Sequence, residues 1–331
     1  MSVYRRILVG TDGSATSELA EDTAARLARQ LDAELILLHV GEGGVLAEAA
    51  ERARKAGVEA RTEQRSGDVP TTIMDTAAEL RADLLVVGDR GIGPARRIEF
   101  GGIPAEVAHN SPIDILIVRT ANPDAHRFPY ATVLIATDGS LTAHQAARHG
   151  HALAQALDAR VSLIYVGDEL IGDIVLRDAA SRLGGDGIER LVLKGNPSSQ
   201  ITNAAGDYDL LVVGNKGMTG SRRFFRKVVP DQAAHEAASD VLIAKTVSRS
   251  FFDLRPGEGA VVDLDGETVA AYLHDDGTSY LLSARCQHMG CVVDWNSRAR
   301  TWDCPCHGSR YQYDGAVLNG PTTRPLPPID T

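Results

Sequence analysis

The feature that most constrains the fold is an internal repeat with a constant spacing of 126 residues. TDGS at residues 11–14 recurs at 137–140, and DLLVVG at 83–88 recurs at 209–214. Because one offset relates both pairs of segments, residues 1–246 are predicted to be tandem copies of one domain. The period is far too long for a solenoid repeat.

Each copy alternates short apolar runs with segments of helical periodicity. In the first copy the pattern predicts strands at 6–10, 34–40, 58–64, 83–87 and 114–118, and helices at 15–31, 45–56, 70–80 and 103–110. Nearly continuous apolar runs are typical of strands that are buried on both faces of a parallel sheet. The alternation therefore predicts a doubly wound α/β sheet in each copy.

A change of pattern marks a third domain. Polar linkers that contain proline occupy 121–130 and 247–259. Beyond them, short alternating strands are separated by turn sequences at Asp265-Gly266 and Asp275-Asp276-Gly277, and helical periodicity is missing. The predicted domains are 1–120 and 131–246, both α/β, followed by a small all-β domain at 255–331.

Composition limits the partners and the compartment. The formal net charge is −10, which argues against nucleic acid or an anionic membrane surface as the main partner. Arg5-Arg6 is followed by only a short apolar run, so an export signal is not expected. Apolar stretches stay well below the roughly 18 residues that span a bilayer. A cytoplasmic location is therefore expected.

All four cysteines lie within the 21 positions from 286 to 306, and none precedes them. Clustering of this kind indicates a metal or redox site rather than a disulfide framework. A zinc finger would pair cysteine with cysteine and histidine with histidine, whereas each box here mixes the two types. A thioredoxin-type CxxC motif is missing, since the second box reads Cys-Pro-Cys. Core cysteines without a ligand are the plainer alternative.

The two boxes read CQHMGC at 286–291 and CPCHGSRY at 304–311, with an Asn-Gly-Pro turn at 319–321. Over about 255–331 this pattern resembles the Rieske family, which implies a [2Fe-2S] cluster. The resemblance implies that Cys286 and Cys304 bind one iron, that His288 and His307 bind the other, and that Cys291 and Cys306 form a disulfide joining the two loops. It also implies that the Ser309 and Tyr311 hydroxyls donate hydrogen bonds to sulfur.

TDGS after the first strand and the glycine-rich stretch after the fourth resemble the universal stress protein family, in its ATP-binding branch. The resemblance implies the strand order 3-2-1-4-5 of adenine nucleotide alpha hydrolase-like folds, with a nucleotide at the carboxyl ends of the strands. The implied nucleotide-binding residues are Asp12, Val40, Gly88, Gly91, Gly101 and Gly102. The second copy has Lys227-Val228 where the first has Gly101-Gly102, which disfavours a phosphate site there. A glycine-rich turn without a ligand is the alternative.

Three histidines, His144, His149 and His151, cluster near the start of the first helix of the second copy. His144 and His151 share a helical face, but His149 is not four residues from His144. They are predicted to face solvent.

The sequence shows no nucleophile–base pair and no two-histidine, one-carboxylate iron site, so no complete catalytic site is predicted. The leading hypothesis is a one-electron carrier or redox-responsive protein that acts on an unidentified partner protein, with the tandem copies paired within the chain. One alternative is a regulatory binding protein whose cluster is read without electron flow. Another is a ferredoxin-like subunit of a multicomponent oxygenase or reductase.

Overall fold

The computed structural model describes residues 3–89, 107, 111, 113–119, 128–185, 187–215, 229–245, 251, 254–264, 267–288, 292–304 and 308–329. The helix predicted at 103–110 lies outside these residues, Val107 apart.

The first copy is a parallel sheet flanked by helices, as predicted. Its strands are β1 (Arg6–Gly10), β2 (Glu34–Val40), β3 (Ala60–Arg65), β4 (Leu84–Gly88) and β5 (Asp114–Val118). Its described helices are α1 (Ala15–Leu31), α2 (Val45–Lys55) and α3 (Val69–Glu79). Every bound lies within two residues of the predicted one, because apolar runs and helical periodicity coincide here with clear helix caps.

The caps show why these segments form helices. The Ser14 side chain accepts from Ser17 N at the start of α1, and Asp68 accepts from Thr71 N at the start of α3. α1 ends at Asp32, whose φ of 53° is left-handed.

The second copy repeats this arrangement. Its strands are β6 (Thr132–Ala136), β7 (Arg160–Val166), β8 (Glu189–Leu193), β9 (Leu210–Gly214) and β10 (Asp240–Ala244). Its described helices are α4 (Leu141–Ala156), α5 (Glu169–Arg182), α6 (Pro197–Ala204) and α7 (Val229–Glu236).

The two copies share one ten-stranded sheet with the order β3-β2-β1-β4-β5-β10-β9-β6-β7-β8. Each half is parallel and has the order 3-2-1-4-5, and the halves join through antiparallel pairing of β5 with β10. The copies therefore pair within the chain, as predicted.

Two buried aspartates, Asp114 and Asp240, hold this junction. Each accepts a hydrogen bond from a tyrosine of its own copy and another from a backbone amide of the other copy. The donors are Tyr4 Oη (2.7 Å) and Lys245 N (2.7 Å) to Asp114, and Tyr130 Oη (2.6 Å) and Arg119 N (2.7 Å) to Asp240. Burial and the adjacent aspartate raise the pKa of both tyrosines well above the usual value, so each phenol stays protonated and donates.

The predicted solvent exposure of the three histidines is wrong for His144, which is 7% exposed because it packs against α5. His149 Nδ1 lies 2.7 Å from Asp114 Oδ2, a contact between the two copies. His151 is partly buried. Helical spacing shows which residues share a face, but it does not show which neighbouring element will cover that face.

The C-terminal β domain, residues 254–329, consists of two antiparallel sheets among its described residues. The first contains β11 (Glu258–Leu264), β12 (Glu267–Leu273) and β13 (Ser279–Ser283), and the second contains β14 (Asp294–Asn296), β15 (Thr301–Asp303), β16 (Arg310–Gln312) and β17 (Val317–Asn319). The turn predicted at Asp275–Gly277 connects β12 to β13, and the Asp265-Gly266 turn lies outside the described residues. Gly259 on β11 lies against the Trp295 ring of β14, where a Cβ would come within 2.5 Å of a ring atom, so the sheets pack through a glycine.

Within the described ranges, the helices are all too short or too polar to cross a bilayer.

Candidate metal centre

The first cysteine loop, residues 286–291, starts and ends at a closed base between β13 and β14. Val293 N donates to Ala284 O over 2.9 Å, and Arg285 pairs with Val292 in an antiparallel bridge. This base brings the two ends of the loop together.

The second cysteine loop, residues 304–309, closes on itself after β15. Cys304 N donates to Ser309 O over 2.7 Å, and Gly308 N donates to Cys304 O over 3.1 Å. The φ of Gly308 is +74°, a conformation that glycine adopts without strain. The turn directs the Cys304 thiol and the Ser309 hydroxyl into the core, where they are 4% and 1% exposed by residue.

The two loops bring Cys286 and Cys304 together in the core of the β domain. The Cys286 residue is only 2% exposed. A hydrogen bond from Cys304 is the main cause that lowers the pKa of Cys286 to about 5, and it outweighs the opposing effect of burial. Because the thiolate is the form that binds metal, this thiol pair fits two protein ligands of one iron.

A hydroxyl group donates to the sulfur of Cys286. Tyr311 Oη lies 3.1 Å from Cys286 Sγ, and it accepts in turn from Gln287 N over 3.1 Å. Burial, followed by the contact with Cys286, raises the pKa of Tyr311 to about 12, so the phenol remains a donor. The Ser309 hydroxyl also lowers the pKa of Cys286 and is itself held by Thr322 N at 3.2 Å. Donors of this kind stabilise negative charge on a metal-bound sulfur.

The structure describes only part of the predicted ligand set. His288 is exposed at the protein surface, two residues after Cys286. Cys291, Cys306 and His307 lie outside the described residues. Among the residues that are described, no three His, Cys, Asp or Glu side chains lie close enough together to hold one metal ion. A Rieske-type two-iron site does not require such a set, because cysteines bind one iron and histidines the other.

Two residues that sequence reasoning missed support the cysteine loops from the segment that follows β17. The Thr322 backbone amide holds the Ser309 hydroxyl, and Arg324 Nη2 donates to Gln287 O over 3.3 Å. The Asn-Gly-Pro turn at 319–321 was the available signal, since it returns the chain toward the cysteine loops just before these residues.

The residues predicted to bind nucleotide are partly brought together. Asp12 follows β1, Val40 ends β2 and Gly88 ends β4. Because β1 lies between β2 and β4 in a parallel arrangement, these three residues lie at one edge of the sheet. Gly91, Gly101 and Gly102 lie outside the described residues.

Family models match two parts of the chain, the first copy and the C-terminal β domain. Residues 3–52 and 43–119 match the universal stress protein family, and residues 247–330 match the Rieske [2Fe-2S] domain. The Rieske match implies a [2Fe-2S] cluster in the C-terminal β domain.

Curated relatives match the chain over limited stretches. The putative Rieske 2Fe-2S iron-sulfur protein YhfW of Bacillus subtilis (strain 168) is 45% identical over 80 residues, which are 24% of this chain and 16% of that protein. The cytochrome b6-f complex iron-sulfur subunit 1 of Cyanophora paradoxa is 30% identical over 148 residues, which are 44% of this chain and 57% of that protein. The chain therefore spans only 16% and 57% of the lengths of these two relatives.

Among solved structures, a universal stress protein from Archaeoglobus fulgidus DSM 4304 matches with a TM-score of 0.62 and 19% identity. The match covers 74% of this chain and 99% of that chain, so the fold likeness extends beyond the first copy.

Proposed function

The chain joins two universal stress protein-like domains to a Rieske [2Fe-2S] domain, and we propose from this that it is a one-electron carrier. The observation that carries the proposal is the buried Cys286–Cys304 thiol pair with the Tyr311 hydroxyl on its sulfur. When bound, a [2Fe-2S] cluster supplies reversible one-electron chemistry. The relatives from the cytochrome b6-f complex support a redox protein as the partner.

The proposed ligands are Cys286 and Cys304 for one iron and His288 and His307 for the other, with a Cys291–Cys306 disulfide between the loops. The thiolates supply negative charge, and their burial fixes their positions. The neutral imidazoles reduce the net negative charge of the site, which favours the reduced form. Tyr311 and Ser309 act in the same direction, so we expect a midpoint potential in the upper part of the range of about −150 to +300 mV.

The experiment uses the purified, iron-loaded chain. Electron paramagnetic resonance of the reduced protein should show a two-iron Rieske spectrum, and the Cys286→Ser variant should lack it. Rapid mixing should then show reduction by a cellular reductase, followed by reoxidation by a protein acceptor within seconds. A Rieske spectrum without such turnover would contradict the carrier function and favour a redox sensor.

We also propose the cytoplasm as the compartment of this protein, and cell fractionation tests this.

A sensor is the second candidate because a stress-protein-like domain contacts the cluster domain directly. Arg182 of α5 donates to Val292 O at the base of the first cysteine loop. Under this reading the scaffold transmits the state of the cluster, and a partner binds one redox state more tightly than the other.

We also propose that the first copy binds an adenine nucleotide at Asp12, Val40 and Gly88, the three residues at the carboxyl ends of β1, β2 and β4. Calorimetric titration with ATP tests this, and Asp12→Ala or Gly88→Val should abolish binding. Asp138→Ala is the matched control, because Asp12 and Asp138 each accept from the serine amide two residues later, at 3.0 and 2.9 Å. Equal loss of binding in Asp12→Ala and Asp138→Ala would contradict a site in the first copy.

A further inference from the structure

One arginine of the second copy reaches into the C-terminal β domain. Arg182, the last residue of α5, donates through Nη1 to Asp294 Oδ2 over 2.7 Å and through Nη2 to Val292 O over 2.5 Å. Its Nε lies 3.0 Å from both carboxylate oxygens of Asp178 on its own helix. The Arg182 side chain is only 16% exposed, so these are contacts of an interface between domains rather than of a solvated surface.

The carbonyl that Arg182 holds lies at the base of the first cysteine loop. Val292 directly follows Cys291 and pairs with Arg285, the residue before Cys286. Val292 is 2% exposed, so its carbonyl cannot exchange the hydrogen bond from Arg182 for one from bulk water without a local opening. A displacement of Val292 would therefore move both ends of the loop that carries Cys286 and His288.

Apolar packing supports the same contact. Ile174, Asp178 and Arg182 follow one another at intervals of four residues and so lie along one face of α5. Ile174 packs against the hydrophobic cluster that contains Cys286, Cys304 and Val292. An apolar contact at one end of this stripe and a charged contact at the other fix both the position and the orientation of α5 against the cysteine loops.

We propose that Arg182 is a positioning residue for the iron-sulfur site: from the second stress-protein-like domain, it holds the base of the first cysteine loop and so fixes Cys286 and His288. This role rests on the proposed [2Fe-2S] site. With this role, the second stress-protein-like domain supports the redox centre through direct contacts, in addition to its covalent connection along the chain.

The test compares Arg182→Ala, Arg182→Lys and Arg177→Ala in the iron-loaded, full-length chain. Arg177 is the matched control, because it lies on the same helix and pairs with Asp173 while 67% of its side chain is exposed. We measure the rate of cluster loss to a chelator, the paramagnetic resonance spectrum, and deuterium exchange of the amides at 284–293. A hydrogen bond to a charged group is worth enough to expect about tenfold faster cluster loss in Arg182→Ala.

The expected result is a shifted spectrum, faster cluster loss and faster exchange at 284–293 in Arg182→Ala. Arg182→Lys should recover part of each, and Arg177→Ala should match the wild type. Wild-type behaviour of Arg182→Ala, or an equal effect in both alanine variants, would overturn the positioning role while leaving the carrier proposal intact. A wild-type protein without a two-iron spectrum would instead remove the carrier proposal, and this role with it.

Discussion

Helices α2 and α5 occupy the same position in the two copies, but an arginine on each helix binds different partners. The turn glycines Gly13 and Gly139 lie against Val45 and Val175 respectively, which aligns the two helices. Seven residues further along stand Arg52 and Arg182. They are 130 residues apart rather than 126, because four more residues separate Val166 from Val175 than separate Val40 from Val45.

The difference lies in what each arginine binds. Arg52 pairs with Glu18 at 3.4 Å and Glu21 at 2.6 Å, both on α1 of its own copy. At the repeat spacing of 126 residues these acids become His144 and Ala147, so the second copy offers Arg182 neither carboxylate. Arg182 instead binds Asp178, Asp294 and the Val292 carbonyl. Arg52 thus binds only within its own copy, while the equivalent arginine of the second copy also contacts the third domain.

Removal of Arg52 is the largest expected effect. Arg52→Ala would leave Glu21, whose side chain is 3% exposed, as a buried charge without its cation. Since breaking a buried pair costs about 3–5 kcal/mol and Arg52 is partly solvated, we expect a loss of about 3 kcal/mol in the free energy of unfolding of the α/β region that the two copies share. Urea unfolding followed by far-ultraviolet circular dichroism measures it.

The rate of cluster loss should stay unchanged in Arg52→Ala, because its partners lie within the first copy. Arg54→Ala is the control, since Arg54 is 62% exposed and pairs with Glu51 on the same helix. Faster cluster loss in Arg52→Ala would break the proposed division of labour between the two arginines.

The second expected effect is acid sensitivity at His144. Burial, together with Arg182, lowers the pKa of His144 to about 4, so at neutral pH the ring is uncharged and its 3.3 Å approach to Asp178 is not an ion pair. An unfolded histidine titrates near 6.5, so the unfolded state binds more protons between these two values. Stability should therefore fall as pH falls from about 6.5 to 4.

Between pH 7 and pH 4.5 this group should cost about 2 kcal/mol of unfolding free energy. The His144→Gln variant should show a correspondingly smaller loss in urea unfolding at the two pH values. Glu18 stands at the matching position of the first copy, so Glu18→Gln is the control and should not remove this acid-dependent loss. An equal pH dependence in wild type and His144→Gln would show that the ring is not the titrating group.

A third effect separates support of the cluster from inside the β domain from support by α5. Tyr311→Phe removes the donor to Cys286 Sγ but leaves the Arg182 contact in place. One hydrogen bond of about 0.5–1.5 kcal/mol corresponds to about 20–65 mV for one electron, and its loss should lower the midpoint potential by that amount. Redox titration measures the shift.

Tyr313→Phe is the control for Tyr311→Phe, because it also removes a phenol hydroxyl. The hydrogen bond from Trp302 Nε1 to Tyr313 remains, since its acceptor is the backbone carbonyl. An unchanged potential in Tyr311→Phe would remove this hydroxyl from the tuning of the cluster.

The comparison of α2 with α5 also shows where sequence reasoning stops. The repeat, the apolar runs and the caps at Ser14 and Asp68 are local signals, and they predicted the strands and helices of the first copy closely. The cysteine boxes are local as well. The role of Arg182 could not be predicted, because its partner Val292 is 110 residues away and accepts through a backbone carbonyl that no side-chain pattern marks. His144 was misjudged for the same reason: its burial depends on a helix from another part of the chain.

The smallest expected effect concerns His149, which bonds to Asp114 across the two copies, where the first copy has Thr23. The hydrogen bond to Asp114 raises the pKa of His149. A raised folded pKa means that the contact stabilises the fold fully below the unfolded pKa of about 6.5 and loses this effect as pH rises through the folded value. Because 43% of the side chain is exposed, solvent screening should hold the contribution below about 1 kcal/mol.

His149→Thr, which introduces the residue of the first copy at this position, should therefore destabilise the protein slightly at pH 5.5 and by less at pH 9 in urea unfolding. A larger loss at pH 9 than at pH 5.5 would reverse the sign and show that the contact does not depend on the charged ring.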